Sequence, residues 1–591
     1  MGGWLSSIFV TSTLSSTLRS FRDARIEKRQ PVTQTEQTSP RERMVINSAL
    51  WAAAGDALGW ITELSHGAAN VMRRSGVATV EQPVAWDRVI GGRTGPKVAL
   101  PAGTYSDDTQ LRLAVSRCIR NGGGFDAEAF AKVELTVWPS YALGAGLGTK
   151  AAAANLARRN TNWYSNFFES GSQRYVSGGG NGAAMRVQPH VWARKSSGAE
   201  LVLAVLQDAL ITHGHPQGFC GAVFHALELQ ATISAGMVAA PEVWPDLVET
   251  FLDIPAILDS DPQLAAFWRA AWESKTGTSL PDALKTMRDS ALRDIDAVHA
   301  CATSMAPQEY PRVLDALGCT SKEFLGAGFK TALAASVLAH MHRDGSPAKA
   351  LAQAANELES DTDTIATMAG AILGACAETA PNWPIQDRDY IVREATRLAH
   401  IAAGQSCESF VYPDLARWSP PANQLAAVGT VGENVGLVGL GLIKAEGDEY
   451  RSGDSIWQWY RLPFGQTVLA KRKAVLPKIS EDQMPELATR QKRGNGTKAR
   501  DLQAGQGALL FEESCIKMAE APKQDTRQVE GESWSLDRAT DEAIRSNFDP
   551  VVVGTLLNRC LDETESIEQV VAFAAILGKA RLARRRRRER S

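Results

Sequence analysis

Cysteine is sparse and dispersed in this 591-residue chain: its eight thiols (Cys118, Cys220, Cys301, Cys319, Cys376, Cys407, Cys515, Cys560) form no C-x-x-C pair. That spacing excludes a thiolate zinc site and a disulfide framework, and reads as reduced thiols in a cytosol-like compartment. Long apolar runs are missing too. The longest, residues 435–443 and 570–577, fall well short of the roughly 20 residues of a transmembrane helix, and glycine interrupts the first. Charge of one sign hardly prevails, with a formal net charge of -3, which excludes a polyelectrolyte role for the chain as a whole. No basic segment precedes the apolar residues at the N-terminus, so a secretory signal is not expected and the expected location is cytoplasmic.

What is present, 44% hydrophobic and 22% charged residues, suits a soluble globular protein too long for one ordinary core. Residues 1–43 read as a flexible leader, although Met1-Gly2-Gly3-Trp4-Leu5-Ser6 fits the short pattern for acylation at Gly2, an anchor that is weak by itself. Residues 44–403 carry Ala-rich runs at helical period (48–58, 127–137, 201–210, 221–233, 329–341, 348–357) and read as one all-α domain. Residues 404–478 change character: the alternation Ile456-Trp457-Gln458-Trp459-Tyr460 predicts a small α+β module. Residues 479–534 read as a polar linker, and 535–591 as a helical segment with a basic tail from Arg584 to Arg588. Clustered arginines gain counterion-release energy on nucleic acid or an acidic membrane. Without interleaved aromatics, a solvated terminus is the favoured reading of that tail.

Two acidic clusters stand out, Ser106-Asp107-Asp108-Thr109 and Ser360-Asp361-Thr362-Asp363-Thr364. Each precedes apolar residues at helical spacing (Leu111, Ala114, Val115, Cys118; Ile365, Met368, Ala369, Ile372), which places each at a helix N-terminus. Helix capping explains one such cluster readily. Two of the same chemistry, if brought together, make a set of hard oxygen donors for magnesium, calcium or manganese rather than zinc.

Three more segments belong with them. Gly55-Asp56-Ala57-Leu58-Gly59-Trp60-Ile61-Thr62-Glu63 ends an Ala-rich helix and sets Glu63 on a loop. The run Ser177-Gly178-Gly179-Gly180-Asn181-Gly182-Ala183-Ala184-Met185-Arg186 leaves backbone N–H groups open to a pyrophosphate or ribose, or else is an ordinary turn. Thr212-His213-Gly214-His215-Pro216 offers a histidine pair whose ordinary role is hydrogen-bonded scaffold.

Taken in order, G-D-x-L-G-x-x-x-E, S-D-D-T, G-N-G-A-A-M-R, T-H-x-H-P and S-D-T-D-T resemble the ADP-ribosylglycohydrolase family, of the dinitrogenase-reductase-activating type. The resemblance implies an all-α orthogonal helical bundle over 44–403, with a C-terminal extension holding a small β-containing module and a helical segment. It implies a binuclear magnesium centre, with manganese as the alternative metal, that removes ADP-ribose from a mono-ADP-ribosylated protein or small-molecule conjugate by hydrolysis at the anomeric carbon. By position, Ser106, Asp107, Asp108, Asp361, Asp363 and Thr364 match the metal ligands. Glu63 matches the flap glutamate, with Glu63, Asp107 and Asp108 as the catalytic set. Gly180, Asn181, Gly182, Met185 and His213 match the segments that hold ADP-ribose. Ser106 departs from the usual threonine but keeps the hydroxyl. Gly178 stands where some arginine-linkage members carry an acid, which leaves the acceptor linkage open. The extension from about Gln405 has no counterpart in the basic domain. The rival readings are an ADP-ribose-binding or structural module without turnover, and a metal-dependent nucleotide phosphohydrolase.

Overall fold

The structure, a computed structural model, describes residues 38–92, 94–485 and 534–588. The acylation pattern, Cys515 and most of the expected linker lie outside the described residues. The principal helices of the first part are α1 (Pro40–Gly59), α2 (Asp107–Cys118), α3 (Ala199–Ala209), α4 (Pro216–Ala235), α5 (Leu280–Cys301), α6 (Gly328–Met341), α7 (Thr362–Cys376) and α8 (Arg388–Ala402). Helix α1 begins at Pro40, inside the stretch read as leader, because a proline suits the first helical turn, where its missing N–H is not needed.

The Ala-rich runs become central helices. Every residue of α6 is buried, as are the stretch of α1 from Asn47 to Gly59 and all of α7 but Cys376, as expected of helices apolar all round. Surface helices keep one stripe instead. In α5 only Leu280, Leu284, Met287, Ala291, Ile295 and Val298 are buried.

Helices α1 and α7 run antiparallel with their backbones nearly touching, and glycine makes this approach feasible. A Cβ at Gly55 would lie 2.2 Å from the Ala366 carbonyl oxygen, and one at Gly59 2.3 Å from that of Thr362. The partner helix reciprocates, with Gly370 and Gly374 set against the Trp51 and Asn47 carbonyl oxygens at 2.4 and 2.7 Å. The C-terminal end of α1 is thereby seated on the first turn of α7.

The helical part also holds an element that its periodicity does not announce: an antiparallel hairpin of β1 (Trp86–Val89) and β2 (Lys97–Leu100), with Trp86 opposite Leu100. Strands of four residues are too short for period-two alternation to show. The expected β-containing region forms two small antiparallel sheets. The first comprises β3 (Val428–Val431), β4 (Asn434–Leu437) and β5 (Gly441–Leu442); the second comprises β6 (Lys444–Ser452), β7 (Ser455–Arg461) and β8 (Thr467–Lys473), in the order 8-7-6.

This region shares one continuous core with the helices, through Trp457, Tyr460, Val468 and Leu469. A buried polar network ties the two. Arg117 of α2 donates to both Glu134 oxygens (2.7 and 2.9 Å) and to Gln466 Oε1 (2.7 Å), while Asp387 accepts from Tyr105 (2.6 Å) and from the backbone N–H of Thr467 (2.8 Å). Helices α9 (Leu536–Arg545), α10 (Pro550–Thr564) and α11 (Ile567–Arg588) have their own small core, including Phe548, Leu556 and Phe573. The backbone of the basic run is the end of α11. Among the described residues no helix is long and apolar enough to cross a membrane.

Candidate functional site

Both acidic clusters open helices, as their spacing predicts. Ser106 caps α2, its hydroxyl accepting the Asp108 N–H at 3.3 Å, and Asp361 occupies the N-cap position of α7. What fixes the first cluster is Asp56 of α1. Its two oxygens accept the N–H groups of Ser106 (2.9 Å) and Thr109 (2.8 Å), so a buried carboxylate satisfies donors that the helix end leaves without intrahelical partners. The second cluster is fixed by Thr362, whose hydroxyl donates to the Gly59 carbonyl at 2.9 Å.

The clusters meet where Thr364 Oγ1 donates to Asp108 Oδ1 at 3.5 Å. Asp107 Oδ1 accepts the Ala145 N–H (2.8 Å), and Asp363 Oδ1 accepts the Thr364 N–H (2.9 Å). Asp361 Oδ2 accepts from the Asn181 amide at 2.9 Å, which joins the second cluster to the glycine loop. That loop is itself anchored, with Asn181 N–H donating to the Gly326 carbonyl (2.8 Å) and Gly328 N–H to that of Gly179 (2.9 Å). Gly326 has φ +71°, and a Cβ there would lie 2.9 Å from Asp361 Oδ2, so only glycine fits.

These residues surround a cavity of about 470 Å³. Glu63, Asp107, Asp108, Gly180, Asn181, Gly182, Met185, His213, Asp361, Asp363 and Thr364 all line it. Ser106 is not among the lining residues; it is fully buried, its hydroxyl accepting the Asp108 N–H.

The electrostatics are those of crowded acids out of water. Burial pushes Asp107 up to about 7, with the charges of Glu63 and Asp56 adding and the Ala145 N–H opposing. Asp108 and Asp363 are driven well above the usual range by burial first and neighbouring carboxylates second. Glu63 is raised by burial against the opposing pull of Arg88, whose Nη2 donates to its Oε2 at 3.1 Å. Arg88 lies over the Trp60 ring, 4.9 Å from its centroid.

His213 is held neutral, pushed down to about 3 by burial and by Arg186. Arg186 Nη2 donates to Thr212 Oγ1 (2.9 Å), and the same hydroxyl shares a hydrogen bond of 2.7 Å with His213 Nδ1. Arg186 also braces the glycine loop through the Gly182 carbonyl (2.9 Å) and is neutralised by fully buried Asp208 (2.9 Å).

The donors fit a hard divalent cation. All are oxygens, and Asp108 Oδ2 is buried without a hydrogen-bond partner, an arrangement costly for a carboxylate unless something else satisfies it. Among the described residues no three Asp, Glu, His or Cys side chains already converge on one point as a finished metal cage.

Three contributors escape sequence reasoning. Asp56 lies within the first of the ordered motifs, but its role shows only through contacts made 50 residues away. The loop Gly144-Ala145-Gly146-Leu147-Gly148-Thr149 lines the cavity and carries a visible signal, three glycines in five residues. Arg88, on β1, carries none.

Residues 37–406 match the family described as ADP-ribosylglycohydrolase. A curated relative, the ADP-ribosyl-[dinitrogen reductase] glycohydrolase of Rhodospirillum rubrum, is 30% identical over 171 residues, 29% of this chain and 51% of the relative. The chain thus spans about half the length of that relative. A solved structure described as an ADP-ribosylglycohydrolase-related protein complex aligns with a TM-score of 0.38 and 18% identity, over 61% of this chain and 99% of the other. With the family match running through more than half of its length, this chain belongs to the ADP-ribosylglycohydrolase family, a family of glycosyl hydrolases.

Proposed function

We propose that this protein is a magnesium-dependent hydrolase that releases ADP-ribose from a mono-ADP-ribosylated acceptor, related to the dinitrogenase-reductase-activating type and built on that family's orthogonal bundle. The observation that carries the reading is the convergence of both acidic clusters, Glu63, the glycine loop and His213 on one cavity. Ser106, Asp107, Asp108, Asp361, Asp363 and Thr364 would hold two magnesium ions, or manganese. Bound there, the metals would offset the packed negative charge, orient a ribose diol and lower the pKa of a bound water.

The protein's own groups supply the rest. Loop N–H groups and the imidazole of neutral His213 would meet the polar atoms of ADP-ribose, and Asn181 holds Asp361 in place. Hydrolysis breaks the bond from the anomeric carbon to the acceptor and adds water there through an oxocarbenium-like state. Glu63, raised by burial and tethered to Arg88, is placed to take the water proton or to gate the cavity. Glu63→Gln separates these roles: a base shows in kcat with ADP-ribose affinity retained, a gate in the affinity itself.

The test is release of free ADP-ribose from mono-ADP-ribosylated arginine, serine and nucleic-acid substrates with and without magnesium. Release that depends on magnesium and is lost in Asp107→Ala and Asp363→Ala is expected. Unchanged release in both variants refutes the two-metal reading. Tight ADP-ribose binding without release indicates a binding module, and free phosphate a phosphohydrolase.

A further inference from the structure

A second cavity, also of about 470 Å³, adjoins the site. Arg88 and Gly144 line both cavities, while Gly180, Asn181 and His213 line only the first of the two. Its outer wall comes from the C-terminal extension, through Gln424, Trp457, Leu469 and Lys471. The Gly91–Gly92 turn closes over Trp457, where a Cβ at Gly91 would come within 2.5 Å of the indole.

Its charge is one-sided. Arg88, Lys150 and Lys471 line it and, among the described residues, no carboxylate does. Lys150 and Lys471 make no ion pair among the described residues, and Lys471 Nζ is held over the Trp457 ring at 4.8 Å from the centroid. Arg88 is paired with Glu63 of the adjoining site, so Lys150 and Lys471 carry the unbalanced positive charge, and such charge on a concave wall attracts an anion. Trp457 is only 5% exposed and has Lys471 on its face, so the cavity offers no free aromatic platform of the kind single-stranded nucleic acid uses.

We propose that this cavity is an acceptor subsite, completed by the C-terminal β-module, that takes the carboxylate side chains flanking the modified residue of an acidic protein segment. The assignment rests on the hydrolase reading of the adjoining site, with which this cavity shares Arg88 and Gly144. It gives the extension the task of choosing among ADP-ribosylated proteins by the charge around the modification.

Full-length protein is tested with two peptides ADP-ribosylated on the same residue, one flanked by glutamates and one by lysines. The expected result is a higher kcat/KM for the acidic peptide, carried by KM, and a preference that falls about tenfold or more in Lys471→Glu but survives in Lys471→Arg. Equal kcat/KM for the two peptides overturns the proposal. A second measurement does not need turnover: fluorescein-labelled hexaglutamate should bind the wild type and bind Lys471→Glu about tenfold more weakly by anisotropy. Hexaglutamate binding without ADP-ribose release from any peptide refutes the hydrolase reading and keeps the anionic subsite. Release without charge preference or hexaglutamate binding refutes the subsite alone. Displacement of hexaglutamate by a short single-stranded RNA of far higher affinity overturns the protein-acceptor assignment.

Discussion

The substitution Gly59→Ala tests whether close backbone approach builds the site. The added methyl would lie 2.3 Å from the Thr362 carbonyl oxygen and 2.5 Å from the Asp363 Cα, both backbone atoms that no rotamer change can move. Restoring ordinary contact requires the end of α1 and the start of α7 to part by about 1 Å, since carbon and oxygen normally meet beyond about 3.4 Å. Overpacking of this kind costs about 1–3 kcal/mol. The hydrogen bond from Thr362 to Gly59, 2.9 Å long, lies in the parted seam and adds about 1 kcal/mol. The shift reaches Asp361, Asp363 and Thr364 directly, and a misplacement near 1 Å at a reacting centre costs on the order of a hundredfold in rate. The expected outcome is a melting temperature lower by at least about 2 °C and ADP-ribose release reduced about a hundredfold at saturating substrate. Gly554→Ala in α10 is the control, because a Cβ there meets nothing within 4 Å and alanine favours a helix by up to about 1 kcal/mol. If Gly59→Ala melts like wild type and keeps full activity, the tight seam is not what positions the second cluster.

Three further outcomes follow from buried charge. Burial lifts Glu228 to about 8, far from its ordinary 4.5, with the Ser336 hydroxyl donating to it. The folded protein therefore keeps a proton that the unfolded chain releases: this contribution is whole below about pH 4.5, falls by about 1.4 kcal/mol per unit above it, and is gone past about 8. Glu228→Gln should flatten the melting temperature between pH 5 and 8, and parallel curves for the two proteins would exclude this. Asp108→Asn should raise stability in chelator by relieving carboxylate repulsion, and should lack the roughly 2.7 kcal/mol that magnesium is expected to add to wild type at a hundred times its Kd; wild type unmoved by magnesium in a thermal shift assay contradicts it. Arg186→Leu leaves fully buried Asp208 without its main counter-charge and should cost about 3–5 kcal/mol, most of it recovered in the Arg186→Leu/Asp208→Leu double variant. Denaturant titration of the cycle decides it, and an additive double variant would show the pair to be uncoupled.

Legibility follows the range of the forces involved. The N-cap hydrogen bond of Ser106 and the helical spacing behind each acidic cluster are local, so both helix starts can be read from the chain. The ordered motifs likewise single out Glu63, Asn181 and His213 by residue type and order alone, and all three line the cavity. The hairpin that carries Arg88 is invisible in the sequence, because four-residue strands have no statistical signature and the Glu63 ion pair joins residues on separate elements. Asp56 reads as part of a small-residue helix end, since a buried carboxylate acquires its role only from the distant N–H groups it meets.

The amino-acid sequence by itself determined which acidic and polar side chains are on offer to a site and where helices begin, because capping, periodicity and residue type act within a few positions. Tertiary structure alone decided that the two acidic clusters share a wall, through four glycines that let α1 and α7 touch backbone to backbone. It decided as well that the extension packs beside the site rather than hanging from it, through Arg117, Gln466 and the shared core around Trp457. Such contacts join residues up to hundreds of positions apart, and no local preference encodes a meeting that only the packed interior brings about.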